Sequence, residues 1–185
     1  MMYGLPESLT VCGLEYPIRS DFRAILDIMT ALNDPELTET EKSVVSLAVF
    51  YPDFNTMDPR HYQEAIRQCF WFINGGTEDH PEKKGPKLVD WEQDFPHIIA
   101  PINRVAGCEI RSVPKLHWWT FLSYYMEIGG DCTFAQIVRI RDMKARGKKL
   151  EKFDREWYQQ NRHLVDLRTN YTDAENALLK MWGGE

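Results

Sequence analysis

Clustered metal ligands are the first thing this sequence lacks. Its four cysteines, Cys12, Cys69, Cys108 and Cys132, stand far apart, with no CxxC pair among them. Zinc sites need grouped Cys or His ligands, so reduced and partly buried thiols are the expectation, with no metal and no cofactor. The five histidines include no pair at i, i+4. No glycine-rich phosphate loop, no GxSxG elbow and no HExxH helix is present, and no catalytic residue is assigned. No run of 18 apolar residues occurs, so no membrane partner is expected. The start, MMYGLPESLTV, lacks a basic and apolar signal segment, and no secretion is expected. Positive charge is also short: the formal net charge is −6, against the basic face a general nucleic-acid binder needs.

What is present is apolar and aromatic. Hydrophobic residues make up 43% of 185 and aromatics 12%, enough to build a core. Helix signals recur. Ser20 and Asp21 open an apolar-striped segment that Pro35 ends. Thr38 and Glu41 spell a capping box, as do Thr133 and Gln136. Asp58-Pro59 starts another helix, and Asn74-Gly75-Gly76 stops it. Leu88–Ala106 is expected to be helical with a break or kink near Pro96 and Pro101. Leu9–Ile18 reads as a β-hairpin turning at Gly13. Thr172 and Glu175 cap a last short segment over Ala174–Trp182.

The stretch Leu88–Ile128 concentrates the rings, with Trp91, Trp118, Trp119, Phe95, Phe121, Tyr124 and Tyr125. Apolar residues cover more than one side of Pro114–Glu127, as in a buried helix. The fold class is therefore mainly α: a multi-helix bundle around a buried aromatic-rich helix at 114–127, with a small N-terminal hairpin. Residues 1–150 read as one domain with an exposed loop at 77–87. Residues 151–185 read as a basic helical extension. From Lys144 to Arg168 eight basic residues meet four acidic ones. A solvated, charge-paired helix surface is the favoured reading there, and contact with an acidic partner or nucleic acid the other.

Asp90, Glu92 and Asp94, with His97 nearby, form the best acidic cluster. A metal or acid–base site can be drawn from them, yet carboxylates at a helix start are favoured by its dipole without any site. Trp71, Trp91, His117, Trp118, Trp119, Tyr124 and Tyr125 are the candidate protein-interaction residues, with core the first assignment for His117-Trp118-Trp119, ahead of a protein interface.

Four segments, in order, resemble the bacteriophage Gp-fifteen protein family of tailed phages and prophages of Gram-positive bacteria. They are Tyr16-Pro17-Ile18 with Asp21-Phe22-Arg23; Cys69–Gly76; Asp90–Asp94 with Ile98-Ile99; and Leu116–Leu122 with Ile137-Val138 and Ile140-Arg141. The resemblance implies a non-enzymatic tail morphogenesis protein of long-tailed phages. The role it implies is a tail assembly chaperone that binds the tape-measure protein and recruits major tail protein subunits. Such a protein acts in the cytoplasm of the infected host and is absent from the mature virion. A structural head–tail or minor tail component is the alternative, and self-association stays open.

Overall fold

The computed structural model describes residues 4–77 and 85–168. Among the described residues the chain is mostly helical, with eight α-helices and a single two-stranded antiparallel sheet. They fall into two compact units, 4–77 and 85–168. Residues 78–84 of the expected loop and the expected helix at Ala174–Trp182 lie outside the described residues.

In the first unit, β1 (Ser8–Val11) pairs with β2 (Leu14–Pro17), and Val11 faces Leu14. That register leaves a two-residue turn, Cys12-Gly13, with φ of 49° and 80°. Positive φ at both positions is the turn that matches the twist of a hairpin. Leu9 and Val11 alternate inward, and β1 packs against the third helix. Helix α1 (Phe22–Asn33) buries Phe22, Ile25 and Ile28. Its cap is Asp21 rather than Ser20: Asp21 accepts the Arg23 amide at 3.0 Å, while the Ser20 hydroxyl donates to Glu7 at 2.7 Å. Helix α2 (Glu39–Phe50) begins with the expected Thr38–Glu41 capping box and packs along α1. At its far end the Arg19 guanidinium donates to the carbonyls of Ala48 and Val49 (2.9 and 2.6 Å), which helix geometry leaves unpaired.

Helix α3 (Tyr62–Ile73) follows a 3-10 turn at Pro59–His61 capped by Asp58, and Gly75 and Gly76 at positive φ end it. The Phe50 ring meets Tyr51 and Phe72 at 4.8 and 5.2 Å. The buried Tyr51 hydroxyl donates to the Ala65 carbonyl at 3.0 Å, and burial pushes its phenol up, so it stays a donor.

In the second unit, α4 (Trp91–Ala106) runs unbroken through Pro96 and Pro101 to Gly107 at φ 69°. Each proline removes one amide donor, but burial of Ile98, Ile99 and Ile102 on one side holds the helix. Helix α5 (Trp118–Met126) is shorter than the expected Pro114–Glu127. His117 is extended, and its Nδ1 accepts the Trp119 amide at 3.1 Å. This imidazole cap fixes the start four residues after Pro114. Only Trp118 and Phe121 of α5 are buried, so the helix is covered on one side rather than all round.

Helix α6 (Thr133–Ala145) is capped by Cys132, whose Sγ accepts the Ala135 amide at 3.4 Å, and not by Thr133. The extended residue falls one place earlier than the motif suggests. Helices α7 (Lys152–Gln160) and α8 (Arg162–Val165) complete the unit. Helix α4 packs on α5 and α6, and α8 packs on α6 and α7. Residues 151–168, which the composition places in a separate extension, are thus part of this unit. The contacts responsible include the Arg139–Asp154 and Lys144–Asp166 pairs and the backbone carbonyls of Leu164, Val165 and Asp166, pairings a composition cannot display.

The Cys12-Gly13 turn makes a stability prediction. Cys12→Val should lower stability by about 1 kcal/mol, because a β-branched residue resists left-handed φ. Cys12→Asn should equal or exceed the parent. Denaturant midpoints with an unchanged slope measure both.

Candidate functional site

The acidic cluster forms the start of α4. Asp90 caps the helix, accepting the Gln93 amide at 3.0 Å, and takes Lys87 Nζ at 2.8 Å. Asp94 Oδ2 accepts the Asp90 amide at 2.9 Å. Asp94 is fully buried, and facing it is Arg141 of α6, only 5% exposed. The two join bidentately, at 2.6 and 2.9 Å. The rest of the guanidinium is also engaged. Nε donates to the Val165 carbonyl at 2.6 Å, and the terminal nitrogens donate to Leu88 at 2.9 Å and Leu164 at 2.8 Å. A guanidinium has five N–H donors, and here each has an acceptor.

Gln93 extends the junction. Its amide nitrogen donates to the Asp166 carbonyl at 3.0 Å, and its oxygen accepts the Arg168 amide at 2.9 Å. The cluster's best carboxylate is thus buried and occupied by a permanent cation, in a structural role. Glu92 is exposed and His97 half-buried. Among the described residues no group of three or more His, Cys, Asp or Glu could hold a metal ion. Arg141 was not among the sequence candidates. Its one sequence signal is an arginine four residues after Ile137, on the face that carries the buried Phe134, Ile137 and Ile140.

The candidate aromatics divide. The Trp91 ring lies 6.0 Å from Trp118, 6.0 Å from Phe121 and 5.0 Å from Tyr125, and Tyr125 reaches Phe134 at 5.9 Å. Trp118 stacks on Phe121 at 5.3 Å and is fully buried, which places it in the core. His117 is buried as the α5 cap. Trp119 and Tyr124 stay half-buried. Trp71, also half-buried, belongs to the first unit. Burial pushes the Tyr125 phenol up, helped by the Asp94 charge.

Where α5 gives way to α6, a shallow groove of about 430 Å3 opens. Tyr125, Met126, Ile128, Phe134 and Val138 line it, with Arg139 at its edge. Met126 is 79% exposed there, so a flexible thioether side chain sits at an apolar surface. Sequence reasoning singled out Tyr125 alone of this set, because exposure at a helix end depends on where the next helix turns back. Arg139 forks onto Asp154 of α7, with one contact at 2.8 Å. The Cys69 thiol is buried in α3, and burial pushes it up, so it stays protonated and unreactive.

The buried pair and the α6–α7 pair each predict a stability change. Asp94→Asn leaves the Arg141 charge without a counterion and should cost about 3–5 kcal/mol in denaturant unfolding. Asp94→Leu with Arg141→Met removes both charges but orphans the carbonyls of Leu88, Leu164 and Val165. It should therefore fall short of full recovery. Arg139 holds the Asp154 carboxyl below the usual carboxylate range. A depressed folded-state pKa contributes stability above the ordinary value, about 4, and loses it as pH falls through the lower folded value. The unfolding midpoint should decline below about pH 4, and less steeply in Asp154→Asn.

The chain matches the family described as Bacteriophage Gp15 protein over residues 2–167. No curated protein and no solved structure matches it. The matched span takes in every described residue but Arg168, including the Asp90–Asp94 and Ile140-Arg141 segments that the buried ion pair joins. With nearly its whole length matched, the chain belongs to the bacteriophage Gp15 protein family.

Proposed function

We propose that this phage protein acts without catalysis as a tail assembly chaperone. In this reading it binds the tape-measure protein and brings major tail protein subunits to it. It works in the cytoplasm of the infected host and leaves before the virion matures. Membership of the family supports a structural or morphogenetic role in a phage. No helix among the described residues is long and apolar enough to cross a membrane.

The observation that carries the finer reading is the open apolar groove at the α5–α6 junction, with Met126 exposed on it. A long helical partner with an apolar stripe docks through anchors spaced along one face, and a shallow apolar groove receives such anchors. Shallow, methionine-bearing surfaces also adapt to more than one sequence. A chaperone that engages many sites on a long partner and then dissociates needs that kind of contact.

Co-expression with the tape-measure and major tail proteins of the same phage tests this reading. Tape measure kept soluble and captured with this chain, together with its absence from purified virions by mass spectrometry, is the expected result. A fixed copy number in virions would instead make it a structural head–tail or minor tail component. Met126→Glu should reduce capture by about tenfold or more, since it replaces an apolar anchor by a charge. The melting temperature should not change, because Met126 contributes little to the core.

A further inference from the structure

A second concave surface lies in the second unit, where the chain leaves α6 and returns through α7 and α8. It is a cleft of about 500 Å3 whose lining includes Lys144, Lys148, Lys149, Arg155, Tyr158 and Arg162. Five of these are cations, and no carboxylate lines the cleft. We propose that it binds an acidic peptide segment of a partner protein. This inference does not depend on the chaperone reading or on the apolar groove.

The argument begins with the charges. Among the described residues Lys148, Lys149 and Arg155 make no ion pair, whereas Asp154, Glu156 and Asp166 are each paired. Asp154 is held by Arg139, Glu156 faces Lys152, and Asp166 is held by Lys144 with Arg162 beside it. The Arg155 guanidinium donates to the Leu150 carbonyl at 3.2 Å, which fixes its position without neutralising it. The Schellman-like turn at Gly147, φ 65°, closes α6 and delivers Lys148 and Lys149 to the cleft. Like charges gathered on a concave wall repel one another, and carboxylates inserted between them relieve that repulsion.

The tyrosine distinguishes a peptide from a nucleic acid. Single-stranded nucleic acid binds by stacking bases on open aromatic faces beside a basic groove. Here Lys144 Nζ stands 4.0 Å from the Tyr158 ring centroid and the Arg162 guanidinium 5.7 Å. The Tyr158 hydroxyl is bonded to Asp166 at 2.9 Å. Two cations already stand against the ring and compete with a base for it. The formal net charge of −6 opposes approach of a long polyanion, while a short acidic segment meets only the local positive field.

Fluorescence anisotropy on the full chain tests the proposal, with a fluorescein-labelled peptide of alternating glutamate and serine as probe. Saturable binding at low salt, weakening as salt rises, is expected. Lys148→Glu with Lys149→Glu should weaken it by about tenfold or more, from two exposed charge pairs turned repulsive. The melting temperature should not move. Arg67→Glu with Lys115→Glu makes the same change in net charge outside the cleft and should leave binding unchanged. Three results overturn the proposal: no saturable binding, equal losses in the two double variants, or tighter binding of an oligothymidylate of the same charge.

Discussion

The bidentate contact between Asp94 and Arg141 is the interaction on which the second unit depends. Both groups are out of water, and each ion brought there costs several kcal/mol before any contact is made. The cost is offset only because the geometry is complete. The carboxylate takes the guanidinium fork and the Asp90 amide, and the remaining guanidinium donors reach Leu88, Leu164 and Val165. One side chain thereby joins the start of α4, the middle of α6 and the end of α8. A packing that separated these groups would leave the donors and carbonyls unpaired in a water-free interior, at a cost for each.

That junction also gives the acidic motif at the start of α4 its structural tasks. Asp90 caps the start of α4, Gln93 bridges to residues 166 and 168, and Asp94 neutralises a cation. Residues that look like a reaction centre in one dimension are distributed among three structural tasks. The two concave surfaces of this unit lie elsewhere, at the α5–α6 junction and along the basic loop into α7. One is apolar and shallow, the other cationic and concave, and the two suit different partner chemistry.

Local chemistry was legible wherever a single residue controls it. The Thr38–Glu41 box, the Cys12-Gly13 turn and the stop at Asn74-Gly75-Gly76 are all where the residues put them. Helix starts were misplaced where two neighbours could serve as cap. Asp21 outcompetes Ser20, and Cys132 outcompetes Thr133, because the cap is the residue whose backbone is extended, and the following chain sets that. His117 was read as a candidate contact and is the cap of α5. Trp118, where core competes with a protein contact, is core, whereas Met126, absent from the candidate contacts, lines the apolar groove with Val138. Tertiary packing also overrode the helix-breaking tendency of Pro96 and Pro101.

The sequence by itself determined the class of the protein: mainly helical, with a hairpin at its start, and resembling one phage family. It did so because hydrophobic period, caps and turn residues act over a few positions. The tertiary structure alone decided that Arg141 neutralises Asp94, which rings are core and which line a surface, and that residues 151–168 belong with 85–150. These outcomes rest on contacts between positions dozens of residues apart, in which backbone carbonyls and buried charges find one another. No local pattern records such pairings, because each partner alone reads as an ordinary polar residue.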